Sequence, residues 1–348
     1  MKKMTLLIVV LLGLGLSASQ AQVASHSFKA HVTKVGTTGA PFLTIGVGAR
    51  ANAMGGAFVS VANDVTALYW NPSGIAALPS PQLALIHSDW IADLRHDFIG
   101  LAVPLGSFGV VGASVNALSM DDLAVRTTAF PEGTGDMMSC GDISMALTYA
   151  IQITDRIRVG ATGKYVSSKL YHMHAGAIGL DLGVMFSDIF DFLQFGATMT
   201  NMGSKIRYDG RDTYIYYDLR PSEAGNNAKI DAKLCTQSFN LPVAFQAGLS
   251  TTLNRNGKMP LLLAMDFYEP SDNVRSLNFG AEWSFYNKLF LRGGYARLFE
   301  DDSERGLTVG GGCRLSVPSS PVKIYLDYSY EDFGLLDNSQ KISMVIAL

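Results

Sequence analysis

A few short sets of residues have the types and spacing that could do chemistry. Gly46-Val-Gly48-Ala-Arg-Ala51 matches the G-x-G-x-x-[GA] fingerprint of dinucleotide-binding proteins. That fingerprint cradles a pyrophosphate only between a strand and a helix of a parallel βαβ unit, and no such unit flanks it here. His87, Ser88 and Asp89 carry the residue types of a base, a nucleophile and an orienting acid. On a strand, neighbouring side chains point to opposite faces, so these three cannot converge on one another. His172 and His174 could share a face of a loop, but a metal site needs further ligands at suitable distance. The acidic run Phe299-Glu-Asp-Asp-Ser-Glu304 could hold calcium, although such runs more often form solvated hairpin tips. No catalytic residue, metal or cofactor is assigned from these patterns.

The elements that would position such residues follow from the rest of the chain. Met1 to Ala21 reads as a cleavable secretory leader, with Lys2 and Lys3, an apolar stretch from Leu6 to Leu16, and a small-x-small site at Ser19-Gln20-Ala21. No later apolar run is long enough for a transmembrane helix. Yet 48% of the 348 residues are hydrophobic and only 16% are charged, against roughly 25% charge in an average soluble domain. Low charge without a long apolar run fits a membrane barrel, in which every second strand residue faces lipid. The net charge of -3 gives no footprint for nucleic acid.

From Gln82 onward the dominant period is two. Leu277, Phe279, Ala281, Trp283 and Phe285 alternate with Ser276, Asn278, Gly280, Glu282 and Ser284, and the same pattern recurs around Val309 and Leu326. Runs of this kind predict about fourteen strands, near 82–89, 97–105, 107–118, 141–152, 156–168, 176–187, 192–201, 241–253, 260–268, 275–286, 288–298, 306–317, 321–330 and 339–348. Links between them alternate short and long, as expected if tight turns face the periplasm and longer loops face outward. The fold class is all-β: a transmembrane antiparallel β-barrel with a small N-terminal plug segment containing short helices. The domains run 1–21 (leader), 22–80 (N-terminal extension and plug) and 81–348 (barrel), with both barrel termini periplasmic. Trp90, Phe267, Tyr268, Tyr328 and Tyr330 are expected at an outer aromatic girdle, and Trp283, Phe285 and Tyr286 at an inner one. Charges of both signs face the lumen: Arg158, Lys164, Arg292, Arg314 and Lys323 against Asp181, Asp266, Glu282 and Asp327. They either pair internally with the plug or stand hydrated.

The plug is the stretch Phe42 to Leu78. Its first half is dominated by small residues, including Gly46, Gly48, Ala49, Ala51, Gly55 and Gly56, which permit close backbone packing. Asp64 is placed to cap a helix over Val65 to Trp70, and Asn71 to cap a second helix with Pro72 at its first position. The run GARANAMGGAFVSVANDVTALYWNPSGIAAL, Gly48 to Leu78, resembles the N-terminal signature of the PorV/PorQ family of outer-membrane barrels. These are similar to the fatty-acid transporter FadL and serve the type IX secretion system. The resemblance rests on Gly48, Ala49, Arg50, Met54, Gly55, Gly56, Asp64, Trp70, Asn71, Pro72 and Gly74. One departure is the final residue, Leu348, where outer-membrane strands usually end in an aromatic.

The resemblance implies a non-enzymatic component of type IX protein secretion at the outer membrane. Such a protein binds secreted cargo or other secretion and attachment proteins, and its wall contacts outer-membrane lipid. The long loops 119–140 and 202–240 are the candidate contact surfaces, with Tyr208, Tyr214, Tyr216 and Tyr217 as rigid amphipathic anchors; a mere structured cap over the mouth is the competing reading. A FadL-like transporter of hydrophobic small molecules is the alternative function, resting on shared fold. Of Cys140, Cys235 and Cys313, the pair placed to form a disulfide is Cys140–Cys235, both at the outer mouth, with Cys313 on the lipid face.

Overall fold

The computed structural model of the chain describes residues 34–348, except 191, 223–228, 301–302, 317 and 319. The leader and its cleavage site, His26, His31, Asp301 and Asp302 lie outside the described residues.

Fourteen strands form a closed antiparallel barrel. They are β1 (Gln82–Trp90), β2 (Leu94–Pro104), β3 (Val110–Ser119), β4 (Cys140–Gln152), β5 (Ile157–Leu170), β6 (Met173–Ile189) and β7 (Leu193–Gly203), followed by β8 (Ala244–Leu253), β9 (Leu261–Pro270), β10 (Ser276–Phe285), β11 (Leu289–Leu298), β12 (Leu307–Ser316), β13 (Lys323–Asp332) and β14 (Asn338–Ala347). Each strand pairs with the next in the chain, and β1 pairs with β14 from Gln82↔Ala347 to Asp89↔Gln340. Closure leaves no unpaired edge in the wall. The period-two pattern sets the faces: Phe279, Trp283, Leu291, Val309 and Ile342 are exposed outward, while Asn278, Glu282, Arg292 and Lys341 are buried inward.

The loop lengths differ in detail from the expected alternation. β5 and β6 run on to Leu170 and Met173, and β2 begins at Leu94, so two of the expected long links become tight turns. The length at that mouth is concentrated in 120–139 and 204–243. Two aromatics also face the other way. Trp90 shares the inward parity of Ile86 and Ser88 and packs edge-on against Phe333, ring centroids 5.0 Å apart. Tyr268 is buried in the lumen with the Arg297 guanidinium 4.6 Å from its ring centroid. Residue parity, which places both inward, overrides the girdle expectation drawn from their position near a strand end.

The plug enters at the long-loop mouth and leaves at the turn mouth. The Gly39 amide donates to the Asn240 carbonyl at 2.9 Å, and the Thr38 hydroxyl to Asp272 at 2.7 Å. So although β1 and β14 end together at the turn mouth, the first described residues lie at the opposite one. A 3₁₀ turn (Pro41–Thr44), α1 (Ala49–Ala53), α2 (Ala67–Trp70) and a second 3₁₀ helix (Pro72–Ala77) then descend through the barrel. α1 is not expected from the sequence, because its five residues are too few to display a helical period. α2 starts later than expected, with Thr66 and not Asp64 at its N-cap and no side-chain cap; Asp64 instead closes the turn before it, accepting from the Thr66 amide at 2.9 Å. Asn71 caps the second 3₁₀ helix by accepting from the Ser73 amide at 3.2 Å, with Pro72 in its first turn.

Candidate functional site: a fastened plug beneath exposed loops

The plug fills the lumen as a core does. Val47, Ala49, Met54, Phe58, Val65 and Ile75 are fully buried, packed with wall residues such as Phe98, Val110 and Met185. The Trp70 indole donates to the Val47 carbonyl at 2.8 Å and meets Phe58 edge-on at 6.1 Å, tying the two halves of the plug together. Gly55 and Gly56 have φ of 65° and 75°, in the left-handed region that a side chain strains. The wall opposite is bare as well, since a Cβ on Gly294 would strike the Gly55 amide nitrogen and the Met54 carbonyl carbon.

Polar wall residues fasten the plug backbone. Asp266 accepts from the Phe58 and Val59 amides at 2.7 and 2.8 Å, Ser343 from the Ala49 amide at 2.7 Å, and the Lys341 ammonium donates to the Gly46 carbonyl at 2.6 Å. The Thr308 hydroxyl donates to Ala53 O at 3.1 Å. Asn71, fully buried, donates to Val59 O within the plug and to Val184 O of β6 at 2.9 and 3.2 Å. Gly74 lies where a Cβ would collide with the Ala62 carbonyl and the Ala67 methyl.

Charges at the turn mouth form one network. Arg50 reaches Asp64 at 2.9 Å and Glu282 at 2.8 Å, and Arg292 reaches Glu282 at 2.6 Å and Asp327 at 2.5 Å. Burial alone would lower the Arg50 pKa, but Glu282 and Asp64 outweigh it and hold the guanidinium above its ordinary value. The internal-pairing reading of the lumenal charges therefore holds for these groups, and for Lys164 with Asp181 at 2.7 Å. Lys323 is exposed at the turn mouth instead. Lys341 is inward by parity alone, yet it is not among the lumenal charges named from the sequence.

Above the plug lies a chamber of about 80 Å³ whose lining includes Ser114, Asn116, Thr162, Lys164, Asp181, Asn201, Gln246 and Arg297. Leu43, Leu68, Trp70 and Phe98 share the lining with these polar groups, and the space is small beside ordinary ligand pockets. Over the mouth, loop 204–243 folds back: Ile206 and Leu241 are buried against Phe42, Leu43 and Ile45 of the plug, with Tyr208 packed on that cluster. The four candidate tyrosines thus divide. Tyr214, Tyr216 and Tyr217 are 62%, 72% and 50% exposed on a two-stranded ribbon, Tyr214–Tyr217 against Ile230–Lys233. The ribbon is anchored by Lys233 to Asp209 at 2.6 Å. That hydrogen bond holds the Asp209 carboxyl below its ordinary value and the Lys233 ammonium above its own.

The chemical candidates do not assemble. His87 faces outward beside Asp97 at 2.6 Å, whereas Ser88 is buried on the inward face. His172 pairs with Asp212 at 2.9 Å, while His174 sits opposite Asp209 on β6. Among the described residues no group of three or more His, Cys, Asp or Glu is placed to hold a metal. The Cys140–Cys235 bridge is not formed, and all three cysteines are free. The Cys235 sulfur instead lies 3.2 Å from Arg207 Nη2, whereas Cys140 is fixed in the β4–β5 ladder opposite Leu170.

A closed fourteen-strand wall with an apolar outer face and a hydrogen-bonded internal plug defines a plugged β-barrel of the outer membrane. The chain belongs to the family of the type IX secretion system protein PorV, whose model matches residues 28–224, more than half its length. Solved structures share the fold at low identity. The CymD monoaromatic hydrocarbon channel is 14% identical with TM-score 0.52, over 87% of this chain and 96% of that one. The Ralstonia pickettii toluene transporter TbuX is 13% identical with TM-score 0.54, over 87% and 97%. The Pseudomonas putida toluene transporter TodX is 15% identical with TM-score 0.53, over 86% and 97%. No curated protein sequence matches the chain.

Proposed function

We propose that this chain is a non-enzymatic recognition component of type IX protein secretion, exported by a cleaved leader. It holds secreted cargo or partner secretion proteins against its outer loops. The observation that carries this is the pairing of a fastened plug with an aromatic ribbon exposed above it. A plug held by Asp266, Ser343, Lys341 and Asn71 makes the barrel a scaffold, and Tyr214, Tyr216 and Tyr217 offer rigid contact area at small entropic cost. An exposed aromatic ribbon on a fixed scaffold suits the binding of polypeptide.

The alternative, a FadL-like transporter of hydrophobic small molecules, draws on the structural neighbours, whose names record aromatic-hydrocarbon channels and transporters. The small volume of the lumenal chamber supports the first reading over it. Affinity purification of the full chain from its own membranes tests the choice. Recovery of type IX secretion proteins or secreted cargo, lost when Tyr214, Tyr216 and Tyr217 are replaced by Ser, is expected. Hydrocarbon uptake into proteoliposomes with no such partners would overturn the proposal.

A further inference from the structure

The turn mouth contains a second cavity, of about 260 Å³, between the plug and β10 to β14. Its three carboxylates are already engaged: Asp64, Glu282 and Asp327 all pair with Arg50 or Arg292. What remains vacant is donor capacity. Arg314 lines the cavity, its Nε is buried with no hydrogen-bond partner, and among the described residues its guanidinium meets no carboxylate. Three amides lining the same space each spend their oxygen inward. Asn63 accepts from Arg50 at 2.8 Å, Gln82 from the Val65 amide at 3.0 Å, and Asn287 from the Ser284 hydroxyl at 3.2 Å. Among the described residues their NH₂ groups meet no acceptor, those of Asn63 and Asn287 standing in solvent at the rim, and a guanidinium adds five N–H donors.

Charge does not select the ligand, because Arg50, Arg292 and Arg314 balance Asp64, Glu282 and Asp327. Selection comes from the buried, unfilled Nε donor of Arg314, with the side-chain amides beside it, which calls for an oxyanion. The remaining wall is apolar and aromatic: Phe290, Tyr325 and Val345. We propose that this vestibule binds a carboxylate carried on an apolar body, with Arg314 as its anchor and the side-chain amides of Asn63, Gln82 and Asn287 as supporting donors. The carboxylate comes either from a small organic acid or from the end of a polypeptide, and the vestibule opens on the side opposite the long loops.

Titration calorimetry on the detergent-solubilised full chain tests this with N-acetyl-L-phenylalanine and its uncharged amide. The acid is expected to bind at least about tenfold more tightly than the amide, since the amide cannot fill charge-assisted donors. Arg314→Gln lowers acid binding to the level of the amide, and Arg314→Lys restores part of it. A heat-shifted band on electrophoresis confirms that each variant is folded, and the acid–amide comparison on the native chain stands even if a variant fails to fold. A hexapeptide ending in phenylalanine that binds as well as the small acid assigns the source to polypeptide; its exclusion assigns it to small acids. Equal binding of acid and amide, no binding of either, or unchanged acid binding in folded Arg314→Gln would overturn the proposal.

Discussion

Asn71→Ala loosens the plug without opening the wall. The side chain is fully buried and makes four hydrogen bonds: to Val59 O at 2.9 Å, Val184 O at 3.2 Å, the Ser73 amide at 3.2 Å and the Ser73 hydroxyl at 2.7 Å. Loss of the cap alone costs about 1 kcal/mol. That figure covers the Ser73 amide; the Val59 carbonyl, a buried acceptor that also loses this partner, adds roughly 1–3 kcal/mol. The sum is about 2–4 kcal/mol against the docked plug. At tenfold per 1.4 kcal/mol, amide exchange in Asn71–Ala77 should accelerate by roughly 30- to 700-fold. Wall amides should keep their protection, since the strand ladders are untouched. Asn71→Asp keeps the acceptor for Ser73 but turns a carboxyl oxygen on the Val59 and Val184 carbonyls in a fully buried site, so it should loosen the plug at least as much as Asn71→Ala. Hydrogen exchange read by mass spectrometry on folded protein in detergent measures this. Native exchange in the plug of Asn71→Ala would refute the reasoning that these bonds hold it, and equal acceleration of plug and wall would show that the two do not open separately.

Other perturbations read other parts of the account. Arg292→Met leaves Glu282 and Asp327 short of a buried partner and should destabilise the fold by about 3–5 kcal/mol, seen as an earlier boiling shift on electrophoresis. Gly294→Val drives a side chain into the Gly55 and Met54 backbone and should raise protease access to 49–56 while the barrel still forms. The Asp209–Lys233 pair has its carboxyl pKa depressed below 3.8 and its ammonium pKa raised above 10.5. Its contribution is therefore intact between those values, declining as pH falls below the first or rises past the second. Exchange protection of Tyr214–Tyr217 should follow that window. Removal of residues 41–78 should turn a nearly silent barrel in a planar bilayer into a steadily conducting one; equal conductance before and after would show that the plug does not close the lumen.

The wall was legible because its physics is local. Alternation such as Leu277 to Phe285 states both strand and face, and every strand lies within a few residues of its expected position. Trp90 and Tyr268 were misjudged where position along the strand was allowed to outrank parity. Asp64 closes a turn and leaves Thr66 as the N-cap of α2, whereas the cap at Asn71 was readable because its partner is two residues away. The plug's path was not. Its entry beside Asn240 and Asp272, and its fastening by Asp266 and Ser343, are contacts across about 200–300 residues, which no periodicity encodes. α1 is hidden for a different reason: at five residues it is too short for a stripe to announce a helix. The exposed ribbon was read as aromatic content in a loop, and only the fold separated Tyr208, packed on the plug, from the three that stand in solvent.

The central claim is that the long-loop mouth recognises polypeptide. A photoreactive phenylalanine analogue at position 216, in the exposed ribbon, tests it most directly, with one at Ile153 in a turn at the opposite mouth as control. Illumination of intact cells should join position 216, and not position 153, to secreted cargo or type IX secretion proteins identified by mass spectrometry. An identical adduct pattern at both positions, or none at 216 in correctly folded protein, would contradict it.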